Sequence, residues 1–80
     1  MKIILAFYEV TWRDAETDNG WNSVADIKCP TKLTKSYGYF VKSENNYFTI
    51  AADYDEETKH FNRFMHIPID MIKKKRRIKI

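Results

Sequence analysis

Five consecutive bases, Lys73, Lys74, Lys75, Arg76 and Arg77, are the densest chemistry in this 80-residue chain. Each lysine or arginine that neutralises a phosphate releases counterions, so such a run points to an anionic partner bound with salt-dependent affinity. On a strand, successive side chains alternate between faces, and only about half of the run can address one surface. Lysine on an exposed edge strand has a second use, because it blocks strand-on-strand aggregation. The run also has the composition of a nuclear-targeting patch.

Aromatic residues extend the first of these ideas. Tyr37, Tyr39, Tyr47 and Phe48 fall on one expected hairpin, where rings are able to stack bases beside the charge as single-strand binders do. In so short a chain half or more of these rings must be core. Trp12 and Trp21 flank the first polar loop, and Trp21, next to Gly20, is expected to be the more exposed and to serve as a binding anchor. The expected ligand- or nucleic-acid-binding residues are therefore Lys73, Lys74, Lys75, Arg76, Arg77, Trp21, Tyr39 and Tyr47.

Catalytic and metal chemistry finds no comparable support. His60 and His66 share a strand face but stand six residues apart, about 20 Å at strand rise, too far for one metal. Asp53, Asp55, Glu56 and Glu57 lack the spacing and glycine of a calcium loop and read as a solvated acidic loop. Cys29 precedes Pro30 with no histidine nearby in sequence, so nothing marks it as a nucleophile. The expectation is a protein that is not an enzyme and carries no metal or cofactor.

Composition bounds the fold that must position these residues. At 44% apolar and 15% aromatic the chain is too rich to be disordered. Residues 1 to 80 are expected to form a single domain, burying only about 60% of its unfolded surface. The single cysteine excludes an internal disulfide and the usual zinc frameworks, and fits a reducing compartment. Self-association is the remaining staple, so a homo-oligomer is expected. The net charge of +3 hides an asymmetry: without the run at 73 to 77, nine bases face eleven acids. Lys2 to Phe7 resembles the start of a signal peptide, but Glu9 cuts the apolar run short, and no stretch approaches the roughly 20 apolar residues of a membrane span. A soluble protein with no membrane partner is expected.

Period-two patterning gives the elements. Residues 2 to 12 alternate as a strand, with Ile4, Ala6, Tyr8, Val10 and Trp12 on one face. Residues 13 to 22 form a polar loop around Asn19-Gly20. Ser23-Val24-Ala25-Asp26 has helix-start spacing, and Pro30 limits it to a short turn. A second strand over residues 32 to 42 holds Gly38 in its middle, the mark of a bulge or sharp coil. Glu44-Asn45-Asn46 connects it to a third strand over 47 to 52, and the acidic loop 53 to 58 leads to a fourth over 60 to 67, with Phe61, Met65 and Ile67 on one face, stopped by Pro68. Ile69-Asp70-Met71 predicts one 3₁₀ turn. A last strand over 72 to 80 would carry Ile72, Ile78 and Ile80 with Lys74 and Arg76 on one face, opposite Lys73, Lys75, Arg77 and Lys79. This is an all-β chain whose five-strand order is that of a small SH3-like barrel, with an OB-like barrel as the second choice.

Val10-Thr11-Trp12-x-Asp14, Gly20-Trp21, Ser36-x-Gly38-Tyr39-x-Val41, Ile50-Ala51 and His66-Ile67-Pro68 together resemble a group of short accessory proteins of tailed bacteriophages, largely uncharacterised. The resemblance spans nearly the whole chain. It implies a phage origin, residence in the host cytoplasm and a small accessory role, and it argues against nuclear targeting. No catalytic residue comes with it.

Three functions follow as expectations. The first is stoichiometric binding, either blocking a host or defence protein or sequestering a small anionic ligand such as a signalling nucleotide. The second is a nucleic-acid-binding module using the basic last strand, and the third is a virion or assembly component.

Overall fold

The computed structural model describes residues 5–14, 20–27 and 32–79. Its five strands are β1 (Phe7–Trp12), β2 (Thr34–Glu44), β3 (Tyr47–Asp55), β4 (His60–Pro68) and β5 (Ile72–Ile78), with 3₁₀ turns at Val24–Asp26 and Ile69–Met71. They form one antiparallel sheet in the order β4-β3-β2-β1-β5. The all-β class and the element order are those expected from the sequence. Among the described residues β4 and β5 do not pair, so the sheet is not closed into a barrel.

The sheet is nevertheless strongly curled. Val10 of β1, Phe48 and Ile50 of β3 and Ile67 of β4 make one buried cluster, with Tyr8, Trp12, Phe40 and Ile72 packed against it. A flat sheet would keep Val10 and Ile67 three strand spacings apart. Coiling brings them together, so one face of the sheet becomes concave and encloses the core. Half-buried Trp12 lies on this face and donates its indole N–H to Ser36 Oγ at 3.0 Å.

Two devices produce the curl. Val41 is the extra residue between the Phe40↔Ile50 and Lys42↔Thr49 pairs, a bulge that bends β2. Three residues earlier Gly38 lets β2 close on β3: a Cβ there would lie 2.8 Å from the Ala51 carbonyl oxygen and 3.0 Å from Ile50 Cβ. Of the bulge or sharp coil expected at Gly38, the bulge sits at Val41, while the glycine serves the coil through close backbone approach; pairing through Gly38 with β1 is regular.

The hairpin turns obey local chemistry. Asn45 and Asn46 both have positive φ, 52° and 65°, the requirement of a two-residue type I′ turn, and asparagine tolerates it. The acidic loop is shorter than expected, because β3 continues to Asp55 and only residues 56 to 59 turn. Asp55 caps that turn, its carboxylate accepting the Glu57 amide at 2.9 Å, while Lys59 takes positive φ. At the 3₁₀ turn Val24–Asp26, Ser23 spends its hydroxyl on the Asp26 carboxylate at 2.7 Å rather than on a backbone amide.

The expected register of the last strand needs correction. Val10 pairs with Lys75 and Thr11 with Lys74, but Trp12 pairs with Ile72, so Lys73 is an inserted residue. The bulge moves Ile72 to the concave face, where it joins the core beside Lys75 and Arg77. Lys74, Arg76 and Ile78 take the convex face. Period-two counting cannot see such an insertion. Cys29, Pro30 and Asn19 lie outside the described residues, as does Ile80.

Candidate functional site

The five bases at residues 73 to 77 do not make one surface. Arg76 lies directly opposite Glu9 on β1 and donates to its carboxylate at 3.0 Å, and Glu9 in turn faces Tyr37 on β2. The Arg76 hydrogen bond holds the Glu9 carboxyl below the usual carboxylate range, with Tyr37 helping, and the hydrogen bond to Glu9 raises the Tyr37 phenol. Lys75 is on the other face, its ammonium 4.8 Å from the centre of the Phe48 ring, where it roofs the core. Arg77 is also there, lining an open 360 Å³ recess with Leu5, Ile78 and Lys79. Lys73 is exposed at the bulge, and Lys74 stands opposite Thr11 on the convex face.

The aromatic candidates separate as well. Trp21 is wholly exposed at 103%, while Trp12 is half-buried, the ranking expected from their neighbours. Tyr39 is half-buried in a chain of rings, edge-on to Phe7 at 5.2 Å and 6.2 Å from Tyr54. Tyr47 is exposed, and its ring meets His66 edge-on at 6.3 Å.

That last contact leads to a cluster that the sequence did not single out. Val41, Lys42, Thr49, Phe64 and His66 line a recess of about 390 Å³ on the convex face of β2, β3 and β4. The Val41 bulge and the register create it. Thr49 is flanked by Lys42 on one side and His66 on the other, and is 3% exposed. Its hydroxyl lies 2.7 Å from His66 Nδ1, which orients the imidazole. The Phe64 ring stacks near-parallel with that imidazole, 22° between planes at 6.4 Å, and is itself 54% exposed. Lys42 carries the cation of the group and pairs with Glu44 at 3.2 Å. A planar ring with a negative substituent matches this arrangement: aromatic surface to stack on, an imidazole nitrogen for hydrogen bonding, and an ammonium for charge.

No protein family, curated protein or solved structure matches the chain. Among the described residues no three histidine, cysteine or acidic side chains gather as metal ligands. His60 sits near the far hairpin tip, opposite Asp55, away from His66. Asp53 of the acidic stretch is bound by Arg63 through two hydrogen bonds of 2.7 and 3.0 Å, and the Arg63 contact lowers its carboxyl. Among the described residues no helix is long and apolar enough to cross a membrane.

The signal for the recess was partly in the sequence. Alternation placed Phe64 and His66 on the face opposite Ile67, as found. Pairing His66 with Thr49 and Lys42 required the bulge at Val41 and the β3–β4 register, neither of which a single strand encodes.

Proposed function

We propose that the chain is a small binding protein of the SH3-like barrel kind, a phage accessory protein that works by stoichiometric capture of a small anionic, aromatic ligand such as a nucleotide. The observation that carries this reading is the Lys42–Thr49–Phe64–His66 recess, in which a buried threonine fixes a histidine between aromatic neighbours on a sheet face. Such a recess, mostly apolar with a few convergent polar groups, is the usual form of a small-ligand site. The barrel assignment is supported by the β1-to-β5 order, the 3₁₀ turn ahead of β5 and the coiling of β2. Calorimetric titration with a panel of mononucleotides and cyclic dinucleotides tests the reading. Binding near one ligand per recess, abolished by Phe64→Ala and weakened by Lys42→Gln, is expected; no heat with any member of the panel removes it.

The convex face also favours a second reading, nucleic-acid binding. Lys35 and Lys74 both stand opposite Thr11 there, with Tyr37 next to them and 52% exposed. Its mark is steep salt dependence, lost when the convex-face bases Lys35, Lys74 and Arg76 become glutamine. Affinity for single-stranded oligonucleotide that ignores salt, or survives the triple change, excludes it.

A further inference from the structure

The Ile69 amide donates to the Asn46 carbonyl at 2.9 Å, and this fixes which backbone groups of β4 point outward. Residues 69 and 46 belong to the same antiparallel register as Ile67↔Phe48 and Met65↔Ile50. Hydrogen-bonded pairs recur every second residue, so Met65, Ile67 and Ile69 direct their N–H and C=O groups into β3. Phe64 and His66 direct theirs away from the sheet. Pro68, next in that series, has no N–H to offer. On the other side, Arg63 has a φ of 56° and breaks the extended run. The usable edge is residues 64 to 67, with two complete outward donor–acceptor sets.

Within this segment nothing guards the edge. Phe64 is 54% and Met65 42% exposed, and no lysine, arginine or acid lies among residues 64 to 67. β5, the opposite edge of the sheet, carries five bases in a row. Unpaired edge strands with exposed apolar side chains are templates for strand addition.

We infer that β4 pairs antiparallel with β4 of a second copy of this chain, centred on Met65. This register alone places Phe64 opposite the partner's His66 and His66 opposite the partner's Phe64. All four outward sets are then satisfied by four hydrogen bonds, without needing Pro68 or crossing Arg63. A shift centred on residue 64 or 66 leaves one set unmatched or calls on the missing proline N–H. Charge favours the antiparallel arrangement. It lays the acidic tip, with Asp55, Glu56 and Glu57 against Lys59, toward the partner end where the Ile69–Met71 turn leads into Lys73 and Lys74, with Asp70 the acid there. The contact is two-fold and self-complementary, so it closes at a dimer, while the lysines of β5 prevent growth at the other edge. It also sets the two convex recesses side by side, each extended by the partner's Phe64 or His66. The dimer stands whether or not the recess binds a nucleotide.

In this register the two Met65 residues face each other as a non-hydrogen-bonded pair, with Cα atoms about 4.5 Å apart, close enough for a disulfide between cysteines placed there. The test is oxidative cross-linking of Met65→Cys in a Cys29→Ser background, beside sedimentation of the unmodified chain over a range of concentrations. A mass rising to twice the monomer, near-complete cross-linking through position 65, and loss of the dimer in Met65→Lys are expected. Monomer mass up to the solubility limit overturns the inference, as does a dimer that neither cross-links at 65 nor responds to Met65→Lys. Should Met65→Lys fail to fold, the sedimentation and cross-linking arms still decide.

Discussion

The two edge strands of this sheet are built to opposite rules. β5 is polar on both faces, its backbone edge ringed by Lys73, Lys74, Lys75, Arg76 and Arg77, and only Ile72 reaches the core. β4 sends Ile67 wholly into the core, exposes Phe64 and Met65, and carries one lasting charge, Arg63, which Asp53 already holds. Charge on one edge and its absence on the other make the molecule directional: one strand repels further strands, and the other presents a short apolar segment next to the convex recess. Two members of the basic run already have partners within the chain, Arg76 on Glu9 and Lys75 over Phe48, so the run does not present five free cations to one ligand.

Ile67→Ala removes a fully buried side chain from β4 and is expected to cost about 2–5 kcal/mol in denaturant unfolding, whereas Ile78→Ala on half-buried β5 should cost clearly less; equal losses would mean that both edges carry the core alike. Gly38→Ala forces a methyl against the Ala51 carbonyl, a backbone neighbour that cannot swing away, and should lose about 1–3 kcal/mol by the same measurement. Replacing Lys73 and Lys74 with threonine should leave unfolding free energy within about 0.5 kcal/mol yet raise turbidity on storage, because the second edge is then open. A clear solution would deny the guard role.

The smallest effect concerns pH. The Glu9 carboxyl sits below its ordinary range in the fold because Arg76 donates to it, so the stability from this contact is full above the unfolded carboxylate pKa, about 4.3, and is lost as pH falls through the lower folded value. Glu9→Gln should therefore lose a little stability at neutral pH and converge with the unaltered chain below about pH 4, which flattens the acid limb. An unaltered acid limb in acid-titrated thermal melts would show that the exposed pair contributes nothing.

Much of the fold was legible because it is local chemistry. Alternation in Tyr8, Val10 and Trp12 gave the core face of β1, Asn45-Asn46 gave a turn that needs positive φ twice, and Pro68 followed by Ile69-Asp70-Met71 gave the strand stop and the 3₁₀ turn. The greater exposure of Trp21 over Trp12 followed from its glycine neighbour and polar loop. Along β5 the alternation of Lys74, Arg76 and Ile78 against Lys75 and Arg77 is as expected, and only Ile72 changes face, since a one-residue bulge at Lys73 inverts a period-two pattern without leaving a glycine or proline as a sign. Gly38 did announce a special backbone position, but a glycine does not say whether it bends its own strand or admits a neighbouring one.

By itself the amino-acid order determined five strands, their turns and which side chains alternate, because these depend on contacts between near neighbours in sequence. Register decided the rest. Only the folded sheet sets Glu9 between Arg76 and Tyr37, brings Lys75 over Phe48, and seats His66 on Thr49 beside Phe64, because each of these contacts joins residues from different strands through pairings and bulges no single strand contains.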